Sequence, residues 1–397
     1  MSRQTSARLA DLCQISIGRT PPRDDARFWD TAKSSENVWL SIADLPHEVM
    51  AEIGESKEHL TDLGASRVPP VPAGTLIMSF KLSIGRTAIS SRELRTNEAI
   101  AAFSQLETSV IGQRFLGHFL SSQDWNARLV GDEKMLGATL SKSKMSEIEI
   151  PLPPLDEQKR IVAKLDAVSK GTSDAISLLL IERAAVEVLW LKLLAKAIDT
   201  ESHGASIKPL GEVFNTTSGG TPLKSNTEFY QGGTVPWLLS GEVGKYEITE
   251  AKNFITDVAV SSTSAKKVEA NSVLVAMYGA TAGQVGLLTF PSTTNQAVCC
   301  ILPNESQLPR FVYYVVLDSK QRLVSQAVGN AQPNISQAKI RTLSYPLVTI
   351  EAQAEIVKRL DFLRTQIDRF LYVSHCKTRQ LTDLRESIFA RVFAGDL

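Results

Sequence analysis

Four cysteines, no apolar run approaching a membrane span and no net charge set the first limits on this chain. Cys13, Cys299, Cys300 and Cys376 make neither a metal-ligand spacing nor a redox pair, and Cys299-Cys300 sit in an apolar run from Ala297 to Leu302. They read as buried thiols in a reducing compartment. His47, His59, His118, His203 and His375 are scattered and pair with no cysteine pattern, which argues against a metal site. A membrane-spanning helix needs about 20 apolar residues, and no such stretch occurs. The opening Met1-Ser2-Arg3-Gln4-Thr5-Ser6 lacks the apolar core of a signal peptide. The expectation is a cytoplasmic protein without membrane contact. Lys plus Arg equals Asp plus Glu at 43 each, so charge alone announces no nucleic-acid partner.

Catalytic signatures are missing as well. There is no Gly-x-x-x-x-Gly-Lys-Ser/Thr loop to cradle phosphates. Gly279-Ala280-Thr281-Ala282-Gly283-Gln284-Val285-Gly286 is glycine-rich without dinucleotide-binding spacing, and reads as a tight loop between strands. No Asn/Asp-Pro-Pro-aromatic tetrapeptide of an adenine methylase occurs; Val68-Pro69-Pro70-Val71 lacks both its polar and its aromatic end. No Gly-x-Ser-x-Gly elbow appears, and Asp24-Asp25 reads as solvated loop charge. These absences favour a binding protein over an enzyme.

What the chain does have is a repeat. Pro151-Leu152-Pro153-Pro154-Leu155-Asp156-Glu157-Gln158 stops one element and starts another, because proline lacks an N–H and restrains its predecessor, while acidic residues suit a first helical turn. Beyond it, Ile161, Leu165, Val168, Thr172, Ala175, Leu179, Val186, Leu189 and Leu193 alternate steps of four and three, with Glu182 in a polar slot. That is a heptad seam, expected where one long helix packs along another. Ile350-Glu351-Ala352-Gln353 restates the motif: Ile356 follows Ile161 by 195 residues, and Leu360 follows Leu165 by the same 195. The offset carries the seam to Leu363, Ile367, Phe370, Leu381, Leu384 and Ile388, leaving only Ser374 and Lys377 polar. The second copy lacks the double proline.

The segments before each helix are also related. Leu9-Ala10-Asp11-Leu12 answers Leu210-Gly211-Glu212-Val213, and Gly18-Arg19-Thr20-Pro21 answers Gly219-Gly220-Thr221-Pro222. Trp39-Leu40 answers Trp237-Leu238, Thr96-Asn97-Glu98-Ala99 answers Thr294-Asn295-Gln296-Ala297, and Leu140-Ser141-Lys142 answers Ile335-Ser336-Gln337. The division expected is a first head over 1–155, a first helical spacer over 156–203, a second head over 204–350 and a second spacer over 351–397. The fold class expected is α+β: two similar α/β heads separated by two long helices that form an antiparallel coiled coil, with a pseudo-two-fold internal repeat.

On these residues, with Ser83-Ile84-Gly85-Arg86 and Leu384-Arg385-Glu386-Ser387-Ile388, the whole chain resembles the DNA-specificity subunit of type I restriction-modification systems. The resemblance implies two target-recognition domains, each reading half of a split target in double-stranded DNA around an unread spacer. It implies no catalysis in this chain. Two adenine-methylating subunits that use S-adenosylmethionine would clamp around it, and restriction/translocase subunits that use ATP and Mg would join them; this chain would hold no cofactor itself. Base reading needs loop donors and acceptors. The candidates in head one are Arg19, Thr20, Lys81, Ser83, Arg86 and Lys142. Those in head two are Thr221, Lys224, Tyr278, Thr281, Gln284, Gln332 and Asn334. Trp39, Trp237, Phe28 and Tyr230 are expected in the core. The alternative is a non-catalytic coiled-coil scaffold with two protein-interaction heads; divergence of the head loops favours target reading.

Overall fold

The computed structural model describes residues 6–46, 48–123, 125, 140–201, 204–325 and 334–394. The chain divides into two compact units, Met1–Ile181 with Ser374–Leu397, and Glu182–Val373.

In the first unit a five-stranded sheet runs in the spatial order Gln14–Ile17, Ile100–Ser104, Leu76–Ser79, Thr87–Ser90, Ala51–Ile53. In the second unit the order is Thr216–Ser218, Val298–Ile301, Val273–Ala276, Val285–Leu288, Glu247–Ile248. Only the last pairing is parallel in each sheet, Ala51–Ile53 with Thr87–Ser90 and Glu247–Ile248 with Val285–Leu288; the rest are antiparallel. The same topology twice confirms the repeat.

The central strands Leu76–Ser79 and Val273–Ala276 are buried at every position, and apolar at all but Ser79, because both faces are covered. Cys299 and Ile301 face one core, while Val298 and Cys300 face another. Leu76 and Met78 are likewise separated from Ile77. One face packs on a helix, Gln113–Ser121 in head one and Pro309–Asp318 in head two, through Phe115 and Phe119 or Phe311 and Tyr314. The other face packs on a smaller sheet built around Val38–Leu40 or Val235–Leu238. Each head closes by pairing its first strand with its last, Ser6–Arg8 with Glu149–Pro151 and Ser206–Pro209 with Ser344–Leu347. Cys13, Cys299 and Cys300 are buried, but Cys376 is only half-buried.

The long helices span Leu155–Glu201 and Ile350–Ala394. Gln158 and Gln353, equivalent in the motif, are almost fully buried at 1% and 0% exposure. Gln158 Oε1 accepts from Gly112 N at 2.8 Å, and its Nε2 donates to Val110 O and Pro153 O at 2.8 Å each. Gln353 Oε1 accepts from Leu308 N at 2.8 Å, and its Nε2 donates to Val348 O at 2.9 Å and to Gln307 Oε1 at 3.0 Å. A second bolt lies further along. Asp166 accepts from Arg114 at 2.9 Å and sits 2.7 Å from His118 Nε2, while Asp361 accepts from Arg310 at 2.8 Å, from the Tyr314 hydroxyl at 2.6 Å and from the Tyr246 hydroxyl. The helix starts are thus built into the heads.

In the first unit Ile161 and Val162 share a core with Phe393, whose ring meets Phe115 and Phe119. In the second unit Trp190, Leu194 and Ile198 share a core with Ile356 and Leu360. Within each unit the start of one long helix therefore lies with the end of the other, as antiparallel neighbours require.

The heptad seam does not hold to the helix ends. Leu165, Ile356 and Leu360 are fully buried, and Ile161, Val168, Leu179, Val186, Leu193, Leu363, Ile367, Leu381 and Ile388 are half-buried. Leu189, Phe370 and Leu384, expected in the seam, are exposed at 50%, 37% and 52%. Burial passes instead to Trp190 and Leu194 on the first helix and to Phe389 on the second. A straight helix drifts about 20° per heptad against a 3.5 repeat, so about four heptads beyond Leu165 or Leu360 the buried line has moved by nearly one residue. The heads reinforce the shift: Trp190 meets Tyr314 at 6.1 Å and Phe389 meets His118 at 5.5 Å between ring centres.

Candidate nucleic-acid interface

The Gly-x-Thr-Pro loops and the Thr-Asn-Glu/Gln-Ala loops meet in both heads. A Cβ at Gly18 would collide with the Thr96 carbonyl oxygen, and one at Gly219 with the Thr294 carbonyl oxygen, so only glycine allows this approach. Arg19 N donates to Thr96 O at 2.8 Å, and Gly220 N to Thr294 O at 2.9 Å. A tryptophan fixes each loop from beneath: Trp39 Nε1 donates to Arg19 O at 3.0 Å and Trp237 Nε1 to Gly220 O at 3.1 Å. Both rings are buried, as expected, and so is Phe28, while Tyr230 is half-buried with its hydroxyl donating to Pro222 O. On top of this frame the Thr20 hydroxyl donates to Glu98, and the Thr221 hydroxyl donates to Gln296 Oε1.

Around that frame the two heads differ. In head one the Arg23 guanidinium lies over the Trp29 and Trp39 rings at 4.2 and 4.6 Å and pairs with Glu58. Burial opposes charge on Glu98, yet the Thr20 hydroxyl and the nearby Lys81 and Arg23 hold its carboxyl below the usual range. In head two a groove of about 910 Å³ carries Lys224, Lys252, Asn253, Tyr230 and Phe254 on its walls, and no acidic residue lines it.

The second part of each interface follows the next strand. Leu140 N donates to Phe80 O at 3.0 Å and Ile335 N to Met277 O at 2.8 Å, which brings the following residues beside Lys81 and Tyr278. Lys142 is exposed on a short helix capped by Ser141, and Ser83 is exposed in its loop. Tyr278 is 40% exposed and bridges to the exposed Asn334. Thr281 closes the turn Gly279–Thr281 between two strands, with Gly279 and Gly283 at φ of 72° and 79°. The glycine-rich stretch is thus the tight loop expected of it.

The candidates do not all remain free. Arg19 and Lys224 are exposed, Lys81 sits over the Phe80 ring at 5.5 Å, and Thr20 and Thr221 are held in the frame. Arg86 is engaged within its own head: its guanidinium donates to the carbonyls of Ile42 and Leu45, so it bolts a loop. Gln284 is half-buried and folds over Gly244. Gln332 lies outside the described residues. Glu98, Gln296, Lys252 and Asn253 were not among the sequence candidates, although the first two stand where the shared tetrapeptide changes from Glu to Gln. Among the described residues no His, Cys, Asp and Glu cluster could hold a metal, and no helix is long and apolar enough to cross a membrane.

The sequence profile of the family described as the type I restriction modification DNA specificity domain matches residues 2–182 and 204–369. Over 232 residues the chain is 26% identical to the EcoR124I/EcoR124II specificity subunit of Escherichia coli, covering 56% of each. Over 198 residues it is 26% identical to the HindI specificity subunit of Haemophilus influenzae, covering 49% of this chain and 42% of that one. The chain thus matches about half the length of these curated relatives. A chain from a solved type I R-M assembly superposes with a TM-score of 0.75 at 20% identity, covering 99% of this chain and 98% of that one. The HsdS subunit of Thermoanaerobacter tengcongensis superposes with a TM-score of 0.54 at 19% identity, covering 100% and 98%. Those likenesses show the fold; the profile match over both heads shows that the chain belongs to the family of type I restriction-modification DNA specificity domains.

Proposed function

We propose that this chain is the non-catalytic subunit that gives a type I restriction-modification complex its DNA sequence specificity, each head reading one half of a bipartite target in double-stranded DNA. One observation carries the reading: the same hydrogen-bonded frame occurs in both heads, with different polar side chains mounted on it. A frame that is kept while its contact residues vary suits a reader of two different half-sites.

The long helices are the docking place for two methylase subunits. They carry more exposed apolar surface than a solvated helix needs: Leu178 at 57% and Ile181 at 66% in the first unit, Phe362 at 64% and Tyr372 at 71% in the second. S-adenosylmethionine belongs on those partners, and ATP and Mg on the restriction/translocase subunits that join them. Phosphate neutralisation supplies much of the affinity for DNA, and this chain is neutral overall. Residues 156–199 hold seven acidic and seven basic side chains, so the helices hide no acidic load that basic heads would offset. The isolated subunit therefore binds DNA weakly, and its partners supply part of the phosphate grip.

The test is to express the chain with its methylase in a host and map methylated adenines. A split target that appears only when this chain is present supports the reading. Methylation at the same sites without the chain overturns it.

A further inference from the structure

The two heads carry an inversion of hydrogen-bond polarity at one matched position, and it deepens the specificity reading on which it rests. Register fixes the match. Leu40 pairs in parallel with Thr96, and Leu238 pairs in parallel with Thr294. Two residues on, head one has Glu98 and head two has Gln296. Both are exposed, and both are oriented by the threonine of the Gly-x-Thr-Pro loop.

The chemistry of the two side chains then diverges. Glu98 is ionised, because its carboxyl is held below the usual range; after accepting from Thr20 it has only lone pairs to offer. Gln296 accepts from the Thr221 hydroxyl through Oε1, which leaves its amide N–H groups as donors. A neighbouring position changes in the same sense. Trp39 stands opposite Glu58 on the adjacent strand, whereas the Trp237 N–H bonds to Asn253 O at 2.9 Å, so a carboxylate in head one answers an amide in head two. Glu58 is engaged by Arg23, and Asn253 Nδ2 lies 3.4 Å from Glu242, which orients the amide. Lysines and an arginine flank both positions, as a negatively charged duplex requires: Arg23 and Lys81 near Glu98, Lys224 and Lys252 in the head-two groove.

In the major groove an acceptor-only side chain selects a base amino group, the N4 of cytosine or N6 of adenine, while an amide donor selects a purine N7 or O6. We propose that Glu98 and Gln296 are matched specificity-determining residues, Glu98 accepting from a base amino group in one half-site and Gln296 donating to a purine acceptor in the other.

Two isosteric variants test this in the full chain co-expressed with its methylase: Glu98→Gln and Gln296→Glu. Mapping of methylated adenines is the readout, with binding of the assembled complex to the wild-type target measured alongside. Gln296→Glu is expected to alter the accepted base at one position in one half-site, and Glu98→Gln at one position in the other half-site. Affinity for the wild-type target is expected to fall about tenfold to a hundredfold in each, the usual cost of a mismatched base contact. Thr221→Ala, which releases the Gln296 amide, is expected to relax discrimination at the position that Gln296→Glu changes; that readout does not require the new charge to be tolerated. A change confined to one half-site per variant supports the assignment. Unchanged targets and affinities in all three variants, with a split wild-type target, overturn this inference and leave the specificity reading standing. Absence of any methylation dependent on the wild-type chain overturns both.

Discussion

Asp361 gathers three donors of the second unit on one side chain. One carboxylate accepts from the Tyr314 hydroxyl, the Tyr246 hydroxyl and the Arg310 guanidinium. Tyr314 is fully buried and Tyr246 half-buried, so with the acceptor removed the Tyr314 hydroxyl is left with only the long 3.4 Å contact to the Tyr246 hydroxyl. Burial, then the bond to Asp361, pushes the Tyr246 hydroxyl up to about 12, which keeps it a donor throughout the working range. A hydrogen bond to a charged group contributes roughly 1.5–3 kcal/mol, so the two tyrosine bonds are worth about 3–6 kcal/mol together. The Arg310 side chain is 47% exposed, and its bond adds less than about 1 kcal/mol. Asp361→Ala should therefore cost about 4 kcal/mol. For a unit of this size that is a fall of about 8–16 °C in melting temperature. Calorimetry of the full chain gives the shift, and hydrogen exchange over Pro309–Asp318 shows whether that helix loosens from the long helix. The cycle of Asp361→Asn with Tyr246→Phe should return a coupling of about 1 kcal/mol or more. A loss below about 1 kcal/mol for Asp361→Ala, or strict additivity in the cycle, would refute the argument that this carboxylate joins the helix to the head.

The equivalent bolt in the first unit should respond to acid. Burial pushes His118 below its usual range against the pull of Asp166, and its Nδ1 has no partner to receive a second proton's donor, so the ring is neutral at pH 7. Its stabilising contribution is fully present above about pH 6.5 and is lost as pH falls through the folded value. Burial opposes charge on Asp166, but hydrogen bonds from Arg114 and His118 prevail and lower it, so its contribution disappears only below about pH 3.9. His118→Tyr, which copies Tyr314, should remove the loss of stability that sets in as pH falls below about 6.5; equal pH slopes for variant and wild type in denaturant titrations would contradict this. Arg86→Ala should destabilise head one by about 1–3 kcal/mol through two stranded carbonyls. Lys81→Ala should instead leave the melting temperature unchanged and flatten the salt dependence of DNA binding by about one unit of slope; the reverse pattern would exchange their roles. Gly171→Ala fills open space inside the first long helix and should stabilise it by about 1 kcal/mol, read by chemical denaturation.

The repeat was legible because its signals are local. The proline stop, the acidic first turn and the apolar periodicity each lie within a few residues, and the helices begin at Leu155 and Ile350 as those signals imply. The glycine of each Gly-x-Thr-Pro loop was also legible as a motif, though its reason, the carbonyl of Thr96 or Thr294, stands far off in the chain. What could not be read is what depends on such distant partners. Arg86 resembles a base reader until Ile42 and Leu45 claim it. Leu189 and Leu193 continue the heptad, but Tyr314 and the turn of a straight helix bring Trp190 and Leu194 inward instead. Glu98 and Gln296 were visible as a difference between two copies of one tetrapeptide; their exposure and their threonine partners were not.

The buried glutamines have a consequence for recombination. Gln158 is bonded to backbone at Val110 and Gly112, and Asp166 to Arg114, so a head and the first turns of the helix after it form one indivisible cassette. A crossover at the prolines would join one parent's glutamine to another parent's loop. A crossover beyond Asp166, or beyond Asp361 in the second copy, exchanges the lock together with its key. Shuffling of heads among relatives should succeed with junctions inside the long helices, several turns past the point where the sequence motif suggests a boundary.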